Sequence, residues 1–475
     1  MKIMYVASEV APFIKTGGLG DVAGSLPKAF AANGHEVAVF CPYYSLIDQK
    51  WRDKMTYVKN AYVQLGWRNQ YCGLFVYEEA NVKYYFIDNE YYFSRTQIYG
   101  EYDDAERFAF FSKAVLEILP DIEFKPDVIN CNDWQTALVP VYYNLMFSGR
   151  EYYQGIKTVF TIHNIAYQGR YGREILEYVL GIDDAHYRSG FMAMDGDVNL
   201  MKAAIVASSA VTTVSPTYAE EIQTPYYGHG LDPILRDCSY KLHGILNGLD
   251  LDAYNPATDP YLFKNYTTRT VKNKLENKKE LLEMCGLEGT EDTPVIAIIS
   301  RFAGHKGLDL IEAVLDEILQ DDIRLIVLGK GEWRYEQMFI EAKKRYPDKI
   351  SVNIMFSAEL ASKIYAGSDI LLMPSKSEPC GLAQMIALHY GTIPIVRETG
   401  GLKDTVHAFV DYLGTGNGFT FHSYNAHDML HVIREACGVF TYNKPAWKKL
   451  VTGGMKEDFS WAASAKIYEE LYKSI

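Results

Sequence analysis

Short apolar runs alternate along this chain with longer stretches in which apolar residues recur every three or four positions. The short runs are rich in β-formers and predict buried parallel strands, whereas the longer spacing predicts helices with one buried face. In the first half, strands are predicted at 1–7, 36–40, 83–87, 128–130, 158–162 and 211–215. Helices are predicted at about 20–33, 104–119, 134–145 and 196–208. Residues 58–90 are more β-rich and predict an insertion of antiparallel pairs.

A second series of the same kind follows a polar, lysine-rich stretch at 265–279. Its predicted strands are 295–300, 324–328, 350–355, 370–373 and 393–396, and its predicted helices are 307–319, 332–346, 359–367 and 382–389. Strands that alternate with helices indicate a parallel sheet covered on both faces. The fold class is therefore α/β, with two doubly wound, Rossmann-like domains. Residues 460–472 predict a closing helix, and the spacing alone leaves open which domain it covers.

The length of 475 residues is too great for one ordinary core and agrees with two domains. A net charge of −13 argues against nucleic acid or an acidic membrane surface as a partner. The 7 cysteines are scattered and never form a C-x-x-C pair, which is typical of reduced thiols in a cytoplasmic protein without a zinc site. No apolar segment approaches membrane-spanning length, so we expect a cytoplasmic location.

A glycine-rich turn separates the first predicted strand from the first helix. It contains Lys15, Gly18 and Asp21 within the run KTGGLGD. Glycines let backbone amides approach a ligand, a helix N-terminus favours negative charge, and the lysine adds a full positive charge. The turn therefore suits a phosphate, although a plain strand-to-helix turn would have the same pattern. Some ten residues separate this turn from its strand, so the turn does not match a dinucleotide-binding fingerprint.

Two loops of the second series carry further candidate residues for binding a phosphate or a sugar. Arg301 and Lys306 flank a short loop after a predicted strand, where they would neutralise a diphosphate unless they are merely solvated. Glu378 precedes another helix and would either bind sugar hydroxyls or cap that helix. Backbone amides near Gly381 and Leu382 open the helix. A second glycine turn contains residues Thr399, Gly400 and Gly401.

Polar residues also follow two predicted strands of the first half. Asp133 and Trp134 follow one strand, and His163 and Asn164 follow another. Asn247 lies in the connection between the halves. Such side chains at strand ends suit recognition of hydroxyl groups, so Asp133, Trp134 and Asn164 are candidates to bind a hydroxyl-bearing substrate.

With these residues together, the chain resembles the bacterial glycogen synthase and plant starch synthase family, retaining glucosyltransferases of the GT-B fold. The resemblance runs nearly from end to end. It is carried by the motifs KTGGLGDV from residue 15, ERFAFF from 106, NDW from 132, HNIAYQG from 163, GILNG from 244, KGLDL from 306, EPCGL from 378, TGGL from 399 and DFSW from 458.

The resemblance implies domains at 1–245 and 246–458 that face a cleft, with a final helix at 459–475 that crosses back to the first domain. It implies that Lys15, Arg301 and Lys306 hold the diphosphate of the donor. The transferred glucose would be contacted by His163, Asn247 and Glu378, with Asp21 nearby. The remaining donor-site residues implied by the resemblance are Phe356, near the base, and His305, Cys380, Gly381, Leu382, Thr399, Gly400 and Gly401.

The implied activity is transfer of glucose from ADP-glucose to the non-reducing end of an α-1,4-glucan, with retained configuration and with no cofactor or metal. Family members commonly carry Gln in place of His305 and often Tyr in place of Phe356. His305 would make activity depend on pH near neutrality. Three alternatives remain open: a UDP-glucose-dependent enzyme of the same fold, a nucleotide-sugar epimerase, and a non-catalytic glucan-binding protein.

Overall fold

A computed structural model describes residues 1–475 of the protein. The contacts within the chain divide it into two compact units. The first unit comprises Met1–Gly248 and Trp461–Ile475, and the second comprises Leu249–Ser460.

The first unit is built on a large, mostly parallel sheet. Its strands, together with those of a small separate sheet, are β1 (Lys2–Val6), β2 (Glu36–Pro42), β3 (Thr56–Leu65), β4 (Arg68–Glu79), β5 (Val82–Asp88), β6 (Val128–Asn132), β7 (Lys157–Ile162), β8 (Arg170–Tyr171), β9 (Ala193–Met194), β10 (Asp197–Asn199), β11 (Ala210–Thr213) and β12 (Leu242–Gly244). Its helices are α1 (Gly18–Ala32), α2 (Gln49–Arg52), α3 (Glu90–Phe93), α4 (Asp104–Glu117), α5 (Leu138–Tyr142), α6 (Ala185–Arg188), α7 (Leu200–Ala207), α8 (Pro216–Glu221) and α9 (Asp232–Asp237).

The strand order of the large sheet determines where its loops meet. The 9-stranded sheet has the order β12-β11-β7-β6-β1-β2-β5-β4-β3. Ile3 of β1 pairs with Val37 of β2 on one side and with Val128 of β6 on the other, in parallel register. The chain therefore leaves β1 in one direction and later returns on its other side with β6, so the loops after β1 and β6 border the crevice where ligands of such sheets bind.

The second unit contains a 6-stranded, fully parallel sheet with the order β15-β14-β13-β16-β17-β18. Its strands are β13 (Val295–Ile299), β14 (Arg324–Gly329), β15 (Ile350–Ile354), β16 (Ile370–Met373), β17 (Ile393–Arg397) and β18 (Phe419–Phe421). Its helices are α10 (Lys274–Met284), α11 (Leu308–Gln320), α12 (Trp333–Arg345), α13 (Ala358–Gly367), α14 (Ala383–His389), α15 (Gly400–Thr405), α16 (Ala426–Tyr442) and α17 (Lys444–Gly454). Here the crevice lies between the loops after β13 and β16.

The last helix, α18 (Trp461–Ser474), packs against α1 of the first unit. Tyr472 and Phe30 lie with their ring centroids 5.7 Å apart, and the Tyr472 hydroxyl accepts a hydrogen bond from buried Asn130 at 2.9 Å. The Ser464 hydroxyl donates to the carbonyl of Leu246 at 2.7 Å. These contacts bury the apolar face that the spacing at 460–472 predicted.

The remaining helical turns are short 3-10 or π turns. They span Leu119–Ile122, Trp134–Thr136, Tyr143–Phe147, Glu151–Tyr153, Leu176–Leu180, Ser239–Lys241, Val271–Asn273 and Gly304–Lys306.

Most predicted elements are present with small shifts at their ends, and three differ for identifiable reasons. The predicted helix at 134–145 contains Pro140, which lacks an amide hydrogen, and only Leu138–Tyr142 is α-helical. The predicted helix at 196–208 begins at Leu200, because Val198 pairs with Tyr171 and Ala193 in the small sheet.

The antiparallel pairs predicted at 58–90 are confirmed as β3, β4 and β5, but they are not a separate insertion. They extend the main sheet because β5 pairs in parallel with β2.

The lysine-rich stretch at 265–279, which the sequence pattern indicated only as a polar segment between the two series, has a structural role. It contains buried Lys278, whose Nζ lies 2.7 Å from Oδ2 of buried Asp369. The same carboxylate oxygen accepts the amide of Val295, the first residue of β13, at 2.9 Å. This polar stretch therefore anchors the first strand of the second unit.

Candidate active site

The crevice of the second unit holds a cavity of about 220 Å³. Several predicted donor-site residues line it, namely Arg301, Lys306, Glu378, Gly381 and Leu382, together with Ser375. Arg301 and Lys306 are on the loop after β13, and the others follow β16. The cavity thus lies at the point where the strand order of this sheet reverses.

Lys306 and Glu378 form an ion pair within this cavity. Lys306 Nζ donates to Glu378 Oε1 at 2.9 Å and to Oε2 at 2.7 Å, and the Ser375 hydroxyl donates to Oε2 at 3.0 Å. Burial would by itself raise the pKa of Glu378, but Lys306 and the Ser375 hydroxyl outweigh it and hold this pKa below its usual value. Glu378 is therefore an ionised carboxylate with both oxygens engaged.

The loop that carries Glu378 rests directly on the glycine turn after β17. The amide of Gly401 donates to the carbonyl of Glu378 at 3.1 Å. Gly400 has φ +44°, and a Cβ atom there would lie 2.0 Å from the carbonyl oxygen of Glu378. A Cβ at Gly401 would lie 2.1 Å from the carbonyl oxygen of Cys380. Both glycines are needed for this close approach.

The other side chains predicted in the second unit differ in their surroundings. Arg301 is exposed and makes no ion pair. Burial, followed by the charge of Lys306, lowers the pKa of His305, so its imidazole is neutral at pH 7. The His305 carbonyl accepts the amide of Lys376 at 2.8 Å and so ties the two loops together. Phe356 follows β15, does not line the cavity, and is 85% exposed.

In the first unit, Lys15 and Asp21 form an ion pair with 2.6 Å between Nζ and Oδ1. Helix α1 begins at Gly18, and Asp21 lies in its first turn, where a carboxylate complements the helix dipole. Gly18, Leu19 and Gly20 form the first turn of α1, so their amides have no α-helical acceptor. This loop follows β1 at the edge of the first crevice.

Asp133 follows β6 at the same crevice and organises the loop after β7. Its backbone has φ +57°, and its Oδ1 accepts the amides of His163 at 2.7 Å and of Asn164 at 3.3 Å. Burial raises the pKa of Asp133 to about 7, although these two hydrogen bonds act in the opposite direction. A carboxylate in a strained backbone conformation that holds a neighbouring loop is a feature of functional sites.

His163 is held in one orientation by Asn132. Its Nε2 lies 2.9 Å from Asn132 Oδ1, and Asn132 Nδ2 donates to the carbonyl of Val6 at 2.9 Å. Since this second bond fixes Oδ1 as the acceptor, His163 carries its proton on Nε2 and leaves Nδ1 as an acceptor. Burial lowers the pKa of His163 to about 3, so the ring is neutral.

Two further predicted residues of the first unit are buried. Trp134 packs edge-on against Phe108, with ring centroids 5.3 Å apart. Asn247 is 6% exposed, and its Oδ1 has no hydrogen-bond partner. The structure therefore leaves one polar atom of Asn247 available.

Sequence reasoning missed Ser375, Asn132 and Glu9. Asn132 is the first residue of the NDW motif, and Ser375 follows Pro374. Neither side chain carries a charge that would identify it as a site residue. Their roles depend on which side chain they meet across a loop, and spacing along the chain does not reveal this. The described residues contain no group of three or more His, Cys, Asp or Glu side chains placed to hold a metal ion.

Comparison with known proteins identifies the family. The chain matches the starch synthase catalytic domain over residues 2–237 and the glycosyl transferases group 1 family over residues 287–437. A glycogen synthase from Bacillus cereus strain B4264 is 50% identical over 475 residues, which covers 100% of both chains. The chain belongs to the glycogen synthase and starch synthase family. A second member, a glycogen synthase from Clostridium novyi strain NT, is 50% identical over 477 residues and covers 100% of this chain and 99% of the relative.

Solved structures of the family and beyond it share the architecture. The catalytic domain of starch synthase IV from Arabidopsis thaliana, bound to ADP and acarbose, is 34% identical with a TM-score of 0.91, covering 100% of this chain and 99% of that one. A sucrose-phosphate synthase from Thermosynechococcus elongatus is 16% identical with a TM-score of 0.62, which indicates the fold alone. The fold is of the GT-B type, with two Rossmann-like α/β domains. None of its helices is both long enough and apolar enough to span a membrane.

Proposed function

We propose that the chain transfers glucose from ADP-glucose to the non-reducing end of an α-1,4-glucan and retains the configuration at the anomeric carbon. The observation that carries the proposal is the cavity at the strand-order reversal of the second unit, where Arg301, Lys306 and Glu378 lie together. The Arabidopsis starch synthase IV domain, which binds ADP and acarbose, supports a nucleotide donor and a glucan-like acceptor.

Within this proposal, the cations stabilise the departing diphosphate. Arg301 offers a planar fork and Lys306 a compact charge, and Lys15 is proposed as a further cation for the diphosphate. These charges oppose the negative charge that develops as the bond between glucose and phosphate breaks. We therefore expect glucose transfer without an added metal ion. A transfer assay in the presence of a chelator tests this expectation.

Glu378 has the role of a fixed hydrogen-bond acceptor for sugar hydroxyls. Retention by double displacement requires a free carboxylate nucleophile and a second carboxyl group about 5 Å away. Both oxygens of Glu378 are engaged, and no other Asp or Glu lines the cavity. These observations support attack by the acceptor on the face that the phosphate leaves, with the phosphate taking the acceptor's proton.

Neutral His163 would accept a hydrogen bond from a sugar hydroxyl through Nδ1. The buried, unpaired Oδ1 of Asn247 suits the same task. The further donor contacts that we propose are Gly18, Asp21, His305, Phe356, Cys380, Gly381, Leu382 and Thr399–Gly401. The proposed acceptor-side residues are Asp133, Trp134 and Asn164.

Transfer of radiolabel from ADP-glucose to glycogen tests the function directly. We expect the label in the α-1,4-glucan, and unlabelled UDP-glucose in equal concentration should compete poorly. Release of free labelled sugar without incorporation would indicate an epimerase or hydrolase, and no consumption of the donor would indicate a binding protein. Preferential use of UDP-glucose would contradict the proposed donor.

A further inference from the structure

Glu9 is a buried carboxylate of the first unit to which the proposed reaction assigns no role. It lies directly after β1 in the loop that leads to α1, and it is only 3% exposed. No Lys, Arg or His lies within ion-pair distance of it. Burying a carboxylate without a cation costs free energy unless hydrogen bonds compensate it. The role of Glu9 therefore depends on which groups donate hydrogen bonds to it.

Those partners all belong to the glycine-rich loop. Glu9 Oε2 accepts the Thr16 hydroxyl at 3.0 Å and the Gly17 amide at 3.3 Å, and it also accepts the Thr16 amide. Thr16 directly follows Lys15, and Gly17 directly precedes the first residue of α1. The carboxylate therefore contacts the middle of the loop, between its cation and its helix.

The rest of the loop is held by the Lys15–Asp21 ion pair and by hydrogen bonds between backbone groups. The amide of Val10 donates to the carbonyl of Ile14 at 3.0 Å, and the amide of Ala11 donates to the carbonyl of Gly20 at 2.9 Å. Gly17 is the N-cap of α1 and has no side chain with which to cap it. Glu9 accepts the two amides that precede the helix, and the first-turn amides of Gly18, Leu19 and Gly20 have no α-helical acceptor.

We propose that Glu9 is a positioning residue that fixes the loop from Lys15 to Gly20, so that the Lys15 ammonium and the free helix amides are preordered for the donor. This inference rests on the proposed function of Lys15. Glu9 touches no substrate in it and acts only through the loop. A displacement of a catalytic group by about 1 Å costs on the order of 100-fold in rate, which sets the expected effect.

A double-mutant cycle with Lys15 tests the proposal. In the otherwise wild-type protein, we expect Glu9→Ala to lower kcat/KM for ADP-glucose by about 100-fold. In a Lys15→Ala background, the same change should lower it by less than about 3-fold, because residues that act through one another are not additive. Glu9→Gln, which keeps one acceptor oxygen and the same shape, should recover most of the activity. Glu36→Ala, at an exposed glutamate in β2, is the matched control.

Hydrogen exchange of the backbone provides a readout independent of activity. In Glu9→Ala, the amides of Thr16 and Gly17 should exchange faster while those of β1 and β6 remain protected. Equal fold losses in both Lys15 backgrounds, or unchanged exchange at Thr16 and Gly17, would overturn the role of Glu9. If Lys15→Ala alone transfers glucose normally, the proposed function of Lys15 fails and the inference fails with it. If Glu9→Ala does not fold, Glu9→Met, which fills the same space without an acceptor oxygen, takes its place in the cycle and in the exchange measurement.

Discussion

At the scale of single residues, the site depends on charges that the protein pairs or buries. Lys306 and Glu378 neutralise each other in a partly buried position. Burial raises the pKa of Asp133 and lowers the pKa of His163. The second-unit pair is ready to hold an ionic substrate because a diphosphate can take over the attraction of Lys306. In the first unit, burial keeps His163 uncharged at neutral pH, while Asp133 changes its charge near pH 7.

Loss of either partner of the Lys306–Glu378 pair should affect the chemical step. We expect Lys306→Ala and Glu378→Gln each to lower kcat by 100-fold or more, about the effect of one oxyanion donor. Initial rates with saturating ADP-glucose and glycogen measure this. Removing one member of a buried pair also destabilises the fold, so thermal unfolding must show that both variants remain folded. Near-normal turnover in both variants would refute the site.

His305→Gln tests whether the histidine affects the pH profile. Because the pKa of His305 is below its usual value, wild type and variant should have parallel rates from pH 7 to 8. Differences should appear only on the acid side, below about pH 6.5, where the imidazole becomes charged. Rate profiles from pH 5 to 8 provide the measurement. A divergence centred above pH 7 would contradict the lowered pKa.

Asp133 should make the folded state less stable as the pH rises from about 4 to 7. Its pKa is about 7 in the folded protein and about 3.9 when unfolded, so the folded state binds more protons between these values. The free energy of unfolding contributed by Asp133 therefore falls as pH rises from about 4 to 7. His163 contributes in the opposite direction between about pH 3 and 6.5.

Asp133→Asn isolates the first of these contributions. The variant should gain stability relative to wild type as pH is raised from about 4.5 to 7.5, which thermal unfolding at several pH values measures. Asp348→Asn, at an exposed carboxylate, should show no such trend. A pH-independent difference between Asp133→Asn and wild type would contradict the raised pKa.

At the scale of elements, the site is assembled from loops that support one another. The loop after β16 carries Glu378 and rests on the first residues of α15, and the loop after β13 is tied to it through the His305 carbonyl. In the first unit, Asp133 after β6 holds the loop after β7. The loops of neighbouring strands thus support one another, through backbone groups in the second unit and through the Asp133 carboxyl group in the first.

Gly400→Ala should disturb this support. A methyl group there would overlap the carbonyl of Glu378, and φ +44° is unfavourable for alanine. We expect a loss of about 1–3 kcal/mol in stability, in addition to a fall of about 100-fold in kcat because Glu378 is displaced. Gly438→Ala, in α16 with no atom within 4 Å of the added methyl, should instead be neutral or stabilising. Normal activity of Gly400→Ala would show that the two loops separate freely.

At the scale of the whole chain, each unit completes its own sheet and places one set of groups at its strand-order reversal. The chain passes from the first unit to the second at residues 248–249 and returns at 460–461. The returning helix α18 covers the apolar face of α1 and completes a buried polar network around Asn130. The first unit is therefore built from both ends of the chain.

Tyr472→Phe tests how strongly this closing helix is tied down. Loss of the hydroxyl leaves buried Asn130 Nδ2 without that acceptor, at a cost of about 1–3 kcal/mol in the free energy of unfolding. Chemical denaturation measures the change. Tyr442→Phe, where the tyrosine is 88% exposed, is the matched control and should change stability by less than about 0.5 kcal/mol. Equal stability of both variants would show that Asn130 finds another partner.

The pattern of apolar residues by itself determined the two α/β series, most strand positions and the loops on which the chemistry lies. It could do so because buried parallel strands and one-sided helices impose local periodicities, and because loops at the carboxyl ends of strands carry the ligands of such sheets. The resemblance of the motifs indicated the family, and the comparisons confirmed it.

Only the tertiary structure decided which of these groups meet. The pairing of Lys306 with Glu378 and the support of Gly400 beneath that loop join residues of separate loops. The contact of Glu9 with Thr16 and Gly17 depends on how a single loop folds back on itself. The small sheet that replaced the start of the helix at 196–208 is likewise a pairing between distant segments. No local periodicity encodes such contacts, because burial, pKa shifts and close backbone approach arise only when separate strands lie side by side.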